Sequence, residues 1–173
     1  MPADRTLLLM AGLPGTGKTT LALALSRSLG WSVLDKDTLK SAMLASGVAE
    51  ALAGPASYEL LLALGHDLIV EQRLSAILDS PAGYPSVVER AREIAQEGGA
   101  MLKVILCLAE QGLRNERVAA RLNRASQPLR PDGSSTPGDG RRRFDHLPAG
   151  TFLLTTAAPI EAVLAEALAY LRI

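Results

Sequence analysis

Aromatic residues are scarce in this chain: two Phe, one Trp and three Tyr among 173 residues, or 3%. That leaves Leu, Ala and Val to build the core, and it leaves few rings for stacking nucleic-acid bases. Net charge is also missing, with 18 Lys plus Arg against 18 Asp plus Glu. A general nucleic-acid or membrane-surface binder is disfavoured by that balance, although a local basic patch is not. A lone cysteine, Cys107 in the apolar run 103–108, excludes a disulfide within the chain and reads as a small buried hydrophobe. Neither His66 nor His146 has a second His or Cys at ligand spacing, so no protein-only metal site is expected. His66 reads as packing or surface, and His146 has no nameable partner. The N-terminal stretch MPADRTLLLMAGLPG has an acid and only a short apolar run, unlike a secretory signal or a membrane span. The expectation is one soluble, cytoplasmic domain over residues 1–173.

What is present is an alternation of short apolar runs and helical patterns. Leu7 to Ala11 is uniformly apolar and stopped by Gly12, as in a strand buried on both faces. Leu21, Leu25 and Leu29 then recur at helical spacing before Gly30, a helix-ending residue. WSVLDKD holds a second strand. Helical stretches are expected over 38–46 and 58–73, with Gly54-Pro55 as a breaker between them. Further strands are expected at 74–78, in MLKVILCLA and in TFLLTT, and further helices over 86–97, 113–123 and 160–171. The stretch SQPLRPDGSSTPGDGRRR is dense in Pro, Gly, Ser and charge and reads as mobile. Neither an internal repeat nor a heptad run is evident. Strands alternating with helices predict a parallel sheet covered on both faces.

Chemistry concentrates first in GLPGTGKT. Gly12, Gly17, Lys18 and Thr19, with Leu13-Pro14-Gly15-Thr16 between, fit the G-x-x-x-x-G-K-[ST] phosphate-binding pattern in full. Glycines let main-chain N–H groups converge on phosphate oxygens, and the helix that follows adds its positive end. Lys18 would reach the β- and γ-phosphates, the Thr19 hydroxyl would bind Mg²⁺, and Thr20 would complete the cradle. The alternative is a glycine-rich strand-to-helix turn carrying a chance lysine.

Ligands of open parallel sheets sit beyond the carboxyl ends of the strands, and two predicted strand exits carry acids. Asp79 follows one strand, suiting a metal-side or water-ordering role. Asp35 and Asp37 follow another, and Asp37 could face a transferred phosphate as base. Each has a plainer reading: Asp37 as a helix N-cap, Asp79 as a turn residue, Asp35 as a solvated acid. Arg114, Arg117, Arg121 and Arg124 lie along one side of a predicted helix. A solvated face explains such a row. Its place before a mobile segment favours a lid bringing positive charge to phosphate. Arg141–Arg143 reads as a solubilising run or a phosphate clamp.

Together, GLPGTGKTT, LDKDT, ILDSP and the Arg-x-x-x-Arg of RVAAR resemble small P-loop kinases. The likeness is to the group of polynucleotide 5'-kinase, zeta-toxin, chloramphenicol phosphotransferase and gluconate kinase relatives, and spans Leu7 to Leu171. The resemblance implies a three-layer α/β/α sandwich on a five-stranded parallel sheet of order 2-3-1-4-5, with a helical, flexible lid near 113–147. It implies ATP on the loop, Asp37 as base or substrate anchor with Asp35 second, Arg117 and Arg121 at the nucleotide, one near adenine and one near phosphate, and a catalytic role for Arg121 beside Lys18. The chain departs from many relatives in carrying Lys40 three residues after Asp37, where they have Arg, and in lacking an Asp before the threonines of LTTAAP. The implied activity is transfer of the γ-phosphate of ATP, with Mg²⁺, to a hydroxyl of a small molecule. Polynucleotide 5'-hydroxyl phosphorylation and a nucleotide-gated interaction protein are the alternatives. No N-K-x-D-like guanine-reading sequence is present.

Overall fold

Every residue of the first strand, β1 (Thr6–Ala11), is buried. Its side chains alternate between two cores: Leu7, Leu9 and Ala11 enter one, Leu8 and Met10 the other. Burial of each leucine contributes roughly 1.5–3 kcal/mol, and a one-residue slip would misplace them all, so this strand fixes the centre of the sheet. The computed structural model describes residues 5–120 and 144–171.

The elements continue as α1 (Lys18–Leu29), β2 (Ser32–Asp35), α2 (Lys36–Ala45), α3 (Glu50–His66), β3 (Ala76–Asp79), α4 (Pro85–Glu97), β4 (Met101–Leu108), α5 (Gln111–Ala119), β5 (Phe152–Thr155) and α6 (Ile160–Leu171). The sheet is parallel throughout, in the order β2-β3-β1-β4-β5. Helices α1 and α6 cover one face through Leu21, Leu25, Val163, Ala167 and Leu171. Helices α3 and α4 cover the other through Leu61, Leu62, Val87, Val88, Ala91 and Ile94. The expected P-loop α/β/α sandwich and its strand order are present.

Local differences from the sequence reading have physical causes. Helix α3 starts at Glu50 and runs through Gly54-Pro55, so that pair does not break it. Buried Ser57 donates its hydroxyl to the Gly54 carbonyl at 2.6 Å, and Ala53 and Leu61 anchor the helix on the core; tertiary packing outweighs local propensity here. A π-turn over Asp67–Glu71 then closes the helix. The third strand begins at Ala76 and includes Asp79. Helix α2 starts at Lys36, two residues before the expected Thr38. Among the described residues no helix is long and apolar enough to cross a membrane.

Candidate active site

The carboxyl ends of β1, β2, β3 and β5 lie along one edge of the parallel sheet. At the first, the chain turns through Gly12 (φ 140°), where an added Cβ would lie 2.6 Å from the Cys107 carbonyl oxygen and 2.8 Å from Thr16 Oγ1. The Leu13 carbonyl then accepts the Thr16 amide (3.3 Å), the Thr16 hydroxyl (2.8 Å) and Lys18 Nζ (3.0 Å). Helix α1 follows from Gly17 (φ 82°) with no side-chain cap and no acid in its first turn. The first N–H groups of a helix have no partner within it, so α1 offers uncapped donors and positive potential to an anion. Gly12, Leu13, Pro14, Gly15, Thr16, Gly17, Lys18, Thr19 and Thr20 thus form a contiguous strand–loop–helix turn, as expected.

Asp79 ends β3, paired in register with Met10 on one side and Asp35 on the other. It is 3% exposed, and its Oδ2 has no hydrogen-bond partner among the described residues. Burial pushes its pKa up to about 6, Lys18 and a hydrogen bond with Thr19 oppose the rise, and Asp35 and Asp37 add to it. A buried carboxylate oxygen without a partner, beside a threonine hydroxyl and other acids, fits a hard divalent cation with oxygen ligands. Asp79 is the last residue of β3 and not part of a turn. Among the described residues no three His, Cys, Asp or Glu side chains form a cage, so such an ion would draw further ligands from water and phosphate.

At the β2 exit the roles of the two acids separate. Asp35, not Asp37, caps α2: Oδ1 accepts the Asp37 amide at 2.9 Å, and Oδ2 accepts the Thr38 hydroxyl at 2.7 Å. Both carboxylate oxygens are thereby committed to the helix start. Asp37 lies within the first turn of α2, paired with Lys36 Nζ at 3.1 Å. That ammonium sits 5.2 Å from the centre of the Tyr58 ring, and Tyr84 meets Tyr58 edge-on with centroids 5.6 Å apart. Lys40 is 3.9 Å from Glu50. Lys36, Tyr58 and Tyr84 were missed in the sequence because they come from three elements with no spacing rule between them.

Across the loop, Arg117 of α5 donates to Thr156 O (2.6 Å), Thr156 Oγ1 (3.1 Å) and Gly15 O (3.4 Å). Thr156, directly after β5, donates its hydroxyl to Thr16 O at 2.7 Å. Its position in LTTAAP is visible in the sequence, but its bridging role is not. Gly15 is backed so closely by α5 that an added Cβ would lie 2.5 Å from the Arg114 carbonyl oxygen. A cleft of about 380 Å³ opens between Gly17, Thr20, Leu21, Arg117, Thr156 and Ile160. The expected site residue Arg121 lies outside the described residues, as do Arg124, Arg141–Arg143 and residues 121–143 of the expected lid. His66 pairs with Glu97 at 3.2 Å, and His146 Nε2 reaches the Ala82 carbonyl at 2.9 Å. Cys107 is fully buried, and burial raises its thiol to about 12, so it is inert structural filling.

A glycine-lined loop, an uncapped helix end and a buried acid on the adjoining strand agree with the comparison of sequences: residues 7–134 match AAA_33, an AAA domain. The chain belongs to that AAA domain family. A candidate kinase from Chloroflexus aurantiacus J-10-fl superposes with a TM-score of 0.73 at 22% identity, covering 99% of this chain and 98% of that one. A gluconokinase from Sinorhizobium meliloti 1021 gives 0.64 at 19%, covering 98% and 93%. The Mycobacterium tuberculosis APS kinase CysC, solved with AMPPNP and APS, gives 0.63 at 19%, covering 99% and 100%. No significant match among curated proteins was found. At these identities the structural likeness establishes a shared kinase-like P-loop fold for this AAA domain.

Proposed function

We propose that this AAA domain protein is a kinase that moves the γ-phosphate of ATP to a hydroxyl of a small molecule. The observation that carries the reading is the pairing of an uncapped phosphate loop with two differently engaged acids at the neighbouring strand ends. Asp79 is buried with an orphaned oxygen, whereas Asp37 stands on the first turn of α2. Holding nucleotide uses the first acid; transfer to a hydroxyl also uses the second, which stands at the positive end of α2 beside Lys36.

In this reading the triphosphate lies over Gly12–Thr20, with the adenine in the cleft between Arg117, Thr156 and Ile160. Lys18 leaves the Leu13 carbonyl for the phosphates, where its charge offsets the negative charge of the transferring group. Thr19 and Asp79 would hold Mg²⁺, which when bound screens the phosphates and holds them in one geometry. Asp37 accepts the proton of the attacking hydroxyl as the new P–O bond forms and the bond to the β-phosphate oxygen breaks. Asp35 keeps α2, and with it Asp37, in place. Arg117 fixes the donor side through Gly15 and Thr156.

The gluconokinase and APS kinase neighbours support a small-molecule acceptor, as does the neutral overall charge, which argues against a polynucleotide. The test is ADP formation measured with ATP and Mg²⁺ while hydroxyl compounds are added in fractions. Stimulation over the basal rate by at least one small-molecule fraction is expected. A rate that no fraction changes, beside tight nucleotide binding, would point to a nucleotide-gated interaction protein instead.

A further inference from the structure

The four residues that leave β3 form an elbow, Asp79-Ser80-Pro81-Ala82, and its last residue is held where alanine seldom goes. Ala82 is fully buried with φ 50°, in the left-handed region that suits glycine. Residues stay in that region only where the surroundings over-determine them. Three hydrogen bonds do so here. The Ala82 amide donates to Ser80 Oγ at 3.2 Å, inside the elbow. The Pro81 carbonyl accepts the Gly12 amide at 3.2 Å, tying the elbow to the start of the phosphate loop. The Ala82 carbonyl accepts His146 Nε2 at 2.9 Å, and among the described residues this bond alone of the three comes from outside the elbow and the loop. A carbonyl oxygen only accepts, so Nε2 carries the hydrogen, and the ring needs no charge to donate it.

His146 is itself anchored. Phe144 is buried in the core on the α3–α4 face of the sheet, and Leu147 packs against the same core, as does Leu13 of the phosphate loop. The Leu147 amide closes a turn on the Phe144 carbonyl at 3.1 Å. The histidine therefore reaches the elbow from a fixed base. We propose that His146 is a positioning residue, whose bond to Ala82 holds the β3 elbow so that Gly12 and Asp79 keep their places in the phosphate site. Its link to metal binding rests on the assignment of Asp79 to the metal side; its link to Gly12 does not. The chain of cause is short: without the histidine the Ala82 peptide relaxes toward negative φ, Pro81 turns its carbonyl away, and Gly12 loses its acceptor. Asp79, three residues before Ala82, shifts with it.

Two readouts test this on the full-length protein. The first is amide hydrogen exchange at Gly12, with neither metal nor nucleotide present. His146→Ala is expected to speed it about tenfold while the amides of the β1–β4 ladder stay as protected as before. His146→Gln, whose side-chain amide can donate to the same carbonyl, is expected to preserve protection. In the double variant His146→Ala with Ala82→Gly, protection should return in part, because glycine takes positive φ without being held. The second readout is the tightening of ADP binding produced by Mg²⁺. His146→Ala should lose most of it, about fivefold or more, beside a smaller weakening of metal-free ADP binding through Gly12. Asp79→Asn is the control: if it leaves the Mg²⁺ effect intact, the metal assignment fails while the Gly12 result stands separately. Unchanged exchange at Gly12 in His146→Ala would overturn the proposal. So would faster exchange spread evenly over the sheet, or a glycine at position 82 that restores nothing.

Discussion

In the proposed reading, the groups of the donor side, between β1 and β5, that would face a nucleotide are main chain or are pinned to main chain. Leu13 O gathers three donors, Thr156 bridges to Thr16 O, and Arg117 grips two carbonyls. The proposed acceptor side, at the exits of β2 and β3, is made of side chains from separate segments: Asp37 and Lys36 of α2, Tyr58 of α3, and Tyr84 just before α4. Main chain can recognise phosphate because phosphate is the same in every substrate. Side chains can change without disturbing the sheet, so the acceptor half is where members of one fold can differ. A donor-side lesion should therefore damage every nucleotide-dependent property at once, and an acceptor-side lesion only transfer.

The largest effects follow from breaking that division at its two active groups. Asp37→Asn should lower transfer by about 10²- to 10⁴-fold, as loss of a general base does, with ADP affinity unchanged within about twofold. Steady-state rates beside a binding titration check both halves of the statement. Lys18→Ala should lower transfer by about 10²- to 10³-fold and weaken ATP binding as well, since its charge meets the phosphates before and during transfer. Should the lysine variant bind ATP normally, the donor side would not be the unit described.

A smaller effect is expected at Thr156. Thr156→Val keeps the shape but removes the hydroxyl that bonds Thr16 O and receives Arg117, leaving buried partners unmatched. The cost is about 1–3 kcal/mol. Nucleotide affinity should fall by about tenfold, and Thr156→Ser should restore it; calorimetric titration of the three proteins decides. The most diagnostic effect concerns stability. Asp79 has a folded pKa raised from 3.8 to about 6. The folded state then binds the proton more tightly than the unfolded state, so this group's contribution to stability is greatest below pH 3.8 and is lost as pH rises to about 6. The full loss is about 3 kcal/mol at most. Asp79→Asn should thus melt at a higher temperature than wild type above pH 6 in EDTA, with the gap closing toward pH 4. Thermal melts across that range would refute the account if the gap were flat or inverted.

The comparison also explains what could be read in advance. The donor half was legible because its pattern is local: four fixed positions within eight residues, set between an apolar strand and an amphipathic helix. The sheet order was legible from the resemblance those motifs carry, and the strands from short apolar runs at regular intervals. What escaped depends on contacts between distant segments. Asp35 and Asp37 both precede helix-forming residues, and only the start of α2 at Lys36 decides that Asp35 is the cap. Pro55 looks like a breaker until the packing of Ala53, Ser57 and Leu61 against the core is known. Thr156 lies 140 positions from Thr16, and His146 lies 64 from Ala82, so no window of sequence contains either bond.

The central claim, that a donor half and an acceptor half meet to transfer phosphate, is tested most directly by following label from the γ-position of ATP. Wild type and Asp37→Asn would be incubated with a pooled small-molecule extract, and the products separated. The account predicts labelled phosphoester formed over many turnovers by wild type and nearly absent in the variant, with equal nucleotide binding in both. Labelled inorganic phosphate as the sole product of wild type, or phosphoester undiminished in Asp37→Asn, would contradict it.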